Sequence, residues 1–219
     1  MRSLRRCTIL GVLLFLSSEA IRSAEEEGGV RIVSAQTAAK YRTASRLLHL
    51  GERIRRWVPG AGNVIRIDTP DAASPFLGPI EDAKEFIVLR SGEFLLAQTD
   101  EAVGISEDYV ALILPLSHIA RFGISTTNGA ALVSPGYSHG TPTPLTLELH
   151  NKNRYSISLP TRSPICHLLI SRVSHSIRST PSEVSAEMTI LPPRYYEQAD
   201  PLISPGYQED LLGDVRTVD

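Results

Sequence analysis

Residues 144–151 read PLTLELHN. Leu145, Leu147 and Leu149 face one way while Thr146, Glu148 and His150 face the other, the two-residue period of a half-buried β-strand. Glu148 therefore projects, flanked by leucines, onto a face that is either solvent or a polar cavity. A solvated carboxylate is the ordinary reading of a lone strand glutamate; a chemically active one is its rival.

Short apolar runs of the same kind lie on both sides. NVIRI (63–67), EFIVL (85–89), GEFLLAQ (92–98), YVALILPL (109–116), AALVSPG (130–136), YSISL (155–159) and ICHLLISRV (165–173) are set apart by a punctuation drawn from fifteen glycines and fifteen prolines. Strands of this length between turn signals predict a mostly β fold, a barrel or sandwich. Helix is expected at 17–27, at 36–56 and, for about one turn, over LSHIARFG (116–123). After Ser174 the chain turns polar and proline-rich, which predicts an irregular tail. There is no sequence repeat, no low-complexity tract and no linker long enough to separate a pair of domains.

Composition narrows the function. A chain of 219 residues, 42% hydrophobic and 21% charged, is the size and make-up of one ordinary soluble domain. Its net charge of −2 offers no electrostatic basis for holding nucleic acid or a membrane surface. The two cysteines, Cys7 and Cys166, are too few for a disulfide framework. They also exclude zinc-dependent base deamination, which pairs His-x-Glu with Cys-x-x-Cys. Cys166, within PICHLLI, reads as a buried structural thiol. None of the six histidines sits at metal-ligand spacing beside a carboxylate. Gly-x-Ser-x-Gly and phosphate-loop patterns are missing, and one tryptophan makes no stacking platform for single strands.

Two further stretches stay open on residues alone. In PLSHIARFG (115–123), Ser117 and Arg121 are four apart and so share one face of a helical turn. Ser117 is equally readable as an N-cap and Arg121 as a snorkelling surface cation. At the N-terminus, three arginines followed by the apolar stretch Cys7 to Leu16 have the outline of a secretory signal. That stretch is too short for a span, which takes about 20 residues. Its rival is a first helix capped by Ser17 or Ser18 and ended by Gly28-Gly29.

A family resemblance takes the reading further. LRSGEFLLAQTDEAVGISEDYVALI (89–113) resembles the dCTP deaminase segment Leu-x-Pro-Gly-Glu-Phe-x-Leu-(Ala/Gly)-x-Thr-x-Glu and its following strand. SHIARFG (117–123) resembles Ser-Ser-Leu-Ala-Arg-x-Gly, GAALVSPGY (129–137) resembles Thr-Ala-x-x-Ile-Asp-Pro-Gly-(Phe/Trp), and LTLELHN falls on the strand of the catalytic glutamate. LPTRSPICHLLI (159–170) occupies the place of Pro-Gly-x-x-Ile-(Ala/Gly)-Gln-Leu, and RYYEQADPLIS (194–204) is similar to a lid sequence, Lys-Tyr-x-x-Gln-x-Gly-Pro. FLSSEAIRSAEEEGGVRIV resembles the family's opening helix and YRTASRLLHLGERI its Pro-Ala-Ser-Tyr-Asp-Leu-Arg-Leu-Gly segment.

The resemblance implies a distorted, dUTPase-like β-barrel with short N-terminal helices, assembled as a homotrimer with sites at subunit interfaces. It implies a domain at 15–204 with a lid at about 190–204, an extension or misplaced start at 1–14, and a tail at 205–219. It argues against secretion, since cleavage near Ala20 or Ala24 would cut the first helix, and so implies a cytoplasmic protein. The implied reaction turns dCTP and water into dUTP and ammonia, in pyrimidine deoxynucleotide metabolism. Glu148 matches the proton shuttle, Ser117 and the Ala130 carbonyl the groups that orient the water, and Arg121 the arginine holding the site's charge. His118, Ser134, Thr146 and Leu147 fall among the nucleotide contacts, and Arg194 and Gln198 in the lid. Mg²⁺ arrives with the triphosphate, no metal is bound by protein, and dTTP is an implied feedback inhibitor.

Departures from the pattern favour the alternative of a catalytically weakened, nucleotide-binding or regulatory homologue. Leu116 replaces a Lys or Arg, His118 a second serine, Ser134 an aspartate and His167 a glutamine, and four extra residues precede Glu148 around HGTPTP. Without that aspartate, a bifunctional enzyme or a dUTP diphosphatase is less favoured.

Overall fold

A computed structural model describes residues 14–60, 62–66 and 73–174. In chain order the elements are α1 (Ser18–Glu26), β1 (Val30–Val33), β2 (Lys40–Arg42), β3 (Ser45–Trp57), β4 (Leu77–Asp82), β5 (Phe86–Leu89), β6 (Phe94–Ile105) and β7 (Tyr109–Pro115). They continue with α2 (Ser117–Arg121), β8 (Ile124–Ser125), β9 (Leu132–Val133), β10 (Thr143–Asn151), β11 (Ile157–Pro160) and β12 (Pro164–Arg172). Ten described strands form one sheet in the order β8-β10-β6-β3-β12-β7-β9, with β1 on β6 and both β2 and β4 on β3; β5 and β11 pair separately. The sheet curls into a half-barrel, the mostly β fold expected from the short apolar runs.

The alternation in PLTLELHN is realised as read: Leu145, Leu147 and Leu149 are 4%, 0% and 0% exposed, inside the core, and their polar neighbours stand on the opposite face. α1 also forms where expected. Ser17 accepts a hydrogen bond from the Ala20 N–H at 3.3 Å, Ile21 and Ala24 enter the core, and the chain leaves through Gly28 at φ 79°. Ahead of the helix, the Leu16 N–H bonds to the Ile170 carbonyl at 2.8 Å, so this segment is stitched to β12. No described helix is long and apolar enough to cross a membrane.

Residues 36–56 are not the expected helix. They form β2, a turn and most of β3, so α1 is the one N-terminal helix among the described residues. The first seven residues of β3 are buried on both faces, which removes the alternation that marks a strand. Good helix formers such as Leu47, Leu48 and Arg46 are then overridden by pairing with β12, β6 and β4. Two polar residues in this stretch are buried only because they are matched. Arg46 donates to the Lys40 and Leu47 carbonyls and pairs with Glu25, and His49 faces Glu101 with Nδ1···Oε1 at 2.6 Å, both side chains fully enclosed. At Gly51 β3 crosses so close to β6 that a Cβ would meet the Gln98 carbonyl oxygen at 2.9 Å. NVIRI is corrected too: residues 63–66 carry no strand.

Candidate active site

Antiparallel pairing with β6 defines Glu148's surroundings. Thr146, Glu148 and His150 lie opposite Gln98, Leu96 and Phe94, giving three cross-strand rows on the face turned away from the core. Leu96, 4% exposed, stands outside the main core cluster and closes the row beneath Glu148. Trp57, Phe94 and His150 make an aromatic row along one side, with ring centroids 6.3 and 6.4 Å apart. On the other side, Gln98 is buried with its Oε1 unpartnered among the described residues.

Glu148 itself is half-buried, and among the described residues its carboxylate has no hydrogen-bond or ionic partner. Burial alone pushes its pKa above the ordinary carboxylate value. Its main chain is fixed, the N–H donating to the Thr126 carbonyl at 2.8 Å. That bond brings the β8–β9 loop alongside, with Ala130 exposed after a turn through Asn128 and Gly129 at φ 43° and 110°. The Leu147 side chain is wholly in the core, which leaves its main chain for a nucleotide contact. Ser134 opens a tight turn in which the Tyr137 N–H returns to its carbonyl at 3.2 Å. Pro135 and Gly136, the latter at φ 81°, suit that turn's two central positions.

Ser117, His118 and Arg121 are all exposed on α2, held down by buried Leu116 and Ile119. The helix is moored to the exit of β10, where Asn153 donates to the Phe122 carbonyl at 3.1 Å and Lys152 N–H to Gly123 at 2.9 Å. Ser117 and His118 line a cavity of about 920 Å³ that reaches Arg42 and His167, within the size range of small-molecule sites. His167 Nδ1 lies 2.8 Å from the Ser45 hydroxyl, and burial followed by the charge of Arg42 lowers the ring's pKa.

The sequence-expected residues thus fall into two groups. One gathers Thr146, Glu148 and the loop carrying Ala130; the other is α2 with its cavity, which Glu148 does not line. Among the described residues no hydrogen bond or ion pair links Ser117, His118 or Arg121 to Glu148. Arg194 and Gln198 lie outside the described residues. The extra residues around HGTPTP lengthen a loop: His139 Nε2 meets the Gly28 carbonyl at 2.8 Å, and Arg31 donates to the His139 and Gly140 carbonyls. An irregularity in pairing between Pro144 and Thr146 then restores β10 to its register. Arg42 and Gln98 escaped sequence reasoning, since an exposed arginine and a strand glutamine carry no motif. No cluster of three or more His, Cys, Asp or Glu able to hold a metal occurs among the described residues.

Comparison with known proteins bears on this geometry. The family model described as dCTP deaminase-like matches residues 15–173. The chain is 32% identical over 107 residues, 49% of its length, to a dUMP-forming dCTP deaminase of Hydrogenobaculum, and spans 58% of that relative. It is 32% identical over 131 residues to another, from Methanoculleus marisnigri, covering 60% of this chain and 66% of that one. The chain therefore spans under two thirds of the length of each. The structure of 2′-deoxycytidine 5′-triphosphate deaminase from Agrobacterium tumefaciens superposes with a TM-score of 0.56 at 22% identity, over 75% of this chain and 48% of that one, a likeness of fold. With the family model running from the segment before α1 to the end of β12, the chain belongs to the dCTP deaminase-like family.

Proposed function

We propose that this protein hydrolyses the cytosine amino group of dCTP, with Glu148 moving the protons. The observation that carries the reading is the half-buried, partnerless Glu148 carboxylate on the outer face of β10, its pKa raised by desolvation. Attack on C4 requires water to lose a proton, and departure of ammonia requires the amino nitrogen to gain one. A carboxylate held in poor solvent takes the first and delivers the second, so one residue serves both steps. The sum is dCTP plus water giving dUTP plus ammonia. Ser117 and the Ala130 carbonyl orient the water, and Arg121 balances charge around the bound nucleotide. Since α2 and Glu148 are not joined within one chain, the reading has α2 of one copy facing Glu148 of the next in a homotrimer. Mg²⁺ would arrive with the nucleotide's phosphates and supply charge neutralisation there.

A second reading concerns the product. The Hydrogenobaculum and Methanoculleus relatives are described as dUMP-forming, which favours cleavage of the triphosphate after deamination. Ser134, where the family pattern has an aspartate, is a poorer water activator and favours arrest at dUTP. Incubation of the full chain with dCTP and Mg²⁺, with chromatography of nucleotide products, separates these readings. Glu148→Gln is expected to abolish turnover while nucleotide binding stays within a few-fold. Equal turnover by wild type and Glu148→Gln would remove the proposed role.

A further inference from the structure

Among the described residues the cavity beside α2 is lined by Arg42, His118 and His167, by hydroxyls that include Ser117 and Ser163, and by no aspartate or glutamate. In a chain with 24 acidic residues and a net charge of −2, that lining is not a by-product of a basic composition. Its polar members suit an anion, set in a wall that is otherwise apolar, with Leu47, Ile119 and Phe122.

Arg42 is the strongest charge in it. It is exposed at the end of the short strand β2 and has no carboxylate partner among the described residues. Several arginines are matched, Arg46 with Glu25, Arg56 with Glu81 and Glu93, Arg162 with Glu52 and Arg172 with Glu27, whereas Arg121, like Arg42, has no carboxylate partner among the described residues. Arg42 instead faces His167, whose ring feels its charge. That ring is oriented by Ser45 through Nδ1, leaving Nε2 without a partner among the described residues. At the mouth of α2, Leu116 is only 6% exposed and supplies no charge. Across the cavity from His118, the permanent charge that an anion would meet is that of Arg42.

We propose that Arg42 is the cation that holds the nucleotide's polyphosphate in this cavity, with His118 as a hydrogen-bonding partner on the facing wall. The proposal rests on the nucleotide reading above and adds to it the residue that discriminates triphosphate from uncharged nucleoside. A guanidinium suits the task, being permanently charged and able to bind two phosphate oxygens at once.

The test is calorimetry on the full chain with three probes: Mg²⁺-dCTP, inorganic tripolyphosphate with Mg²⁺, and deoxycytidine. Arg42→Gln is expected to weaken the first two by roughly tenfold, the scale of one charge-assisted contact, and to leave deoxycytidine unchanged. Arg42→Lys recovers some of the loss. Lys40→Gln, which removes the same charge from the same strand outside the cavity, changes nothing, and equal melting temperatures of the variants certify the fold. Equal affinity of Arg42→Gln and wild type, or an equal loss in Lys40→Gln, overturns the proposal. If dCTP neither binds nor turns over while tripolyphosphate binds in an Arg42-dependent way, the nucleotide reading fails and the anion cavity stands.

Discussion

Replacing Thr99 by valine removes one hydroxyl from the centre of the sheet and tests how β10 is held at the candidate site. Thr99 is fully buried. Its Oγ1 donates to the Glu101 carbonyl at 2.7 Å and accepts from the Leu145 N–H at 2.9 Å. Both bonds lie where pairing between β6 and β10 is interrupted, Pro144 opposing Ala102 and Thr146 opposing Gln98. The hydroxyl stands in for the missing ladder contact and helps β10 resume in the register that sets Glu148 opposite Leu96. Valine keeps the shape and loses both bonds. An enclosed donor or acceptor left unpaired costs about 1–3 kcal/mol, so the pair predicts a loss of about 2–6 kcal/mol. At roughly 2–4 °C per kcal/mol for a domain of this size, the melting temperature should fall by about 4–24 °C. Thr99→Ser keeps the hydroxyl and is expected to lose only about 1 kcal/mol with its methyl group. Urea unfolding at fixed protein concentration measures the cost, and dCTP turnover reads the site, with kcat falling more than KM. A Thr99→Val midpoint matching wild type, or a Thr99→Ser variant less stable than it, would refute the reasoning.

Two further outcomes follow from buried charges. Glu148's folded pKa is raised above 4.5 by burial, so its ionised form lowers stability above the folded value, and that cost vanishes below the unfolded one. Glu148→Gln should therefore melt higher than wild type near pH 8 and together with it near pH 4; coincident curves at both would contradict the desolvation. His49→Leu strands the enclosed Glu101 carboxylate, with the Thr37 hydroxyl 3.3 Å away and the residue-49 N–H as its remaining partners. A loss of about 3–5 kcal/mol in urea is expected, much of it recovered in the double variant His49→Leu/Glu101→Leu, and no recovery would argue against the pairing.

Much of this was legible in the sequence wherever one face of a strand meets the core and the other does not. PLTLELHN announced its period, its buried leucines and the side on which Glu148 stands. β3 was illegible for the opposite reason: enclosed on both faces, it shows no alternation, and its polar members are satisfied by Glu25 and Glu101, which are distant in the chain. The same limit applies at the site. Glu148 and Ser117 were found from local motifs, whereas Arg42 acquires meaning only when β2 folds against α2 and β12. A cavity's charge is a property of its opposite walls, and no window of sequence contains both.

The position of β12 has a consequence for how the chain reaches this shape. The last described strand is an interior one, with β3 on one edge and β7 on the other. During synthesis, β3 and β7 emerge with facing edges exposed and wait for residues 164–172 to fill the gap. The fold therefore closes late, through partners more than a hundred residues apart in the case of β3, which is the contact pattern of a slow folder. Until then two unpaired edges are open to other chains. A chain ending before Pro164 would lack the middle of its sheet rather than its margin, and is expected to be insoluble where the full chain folds.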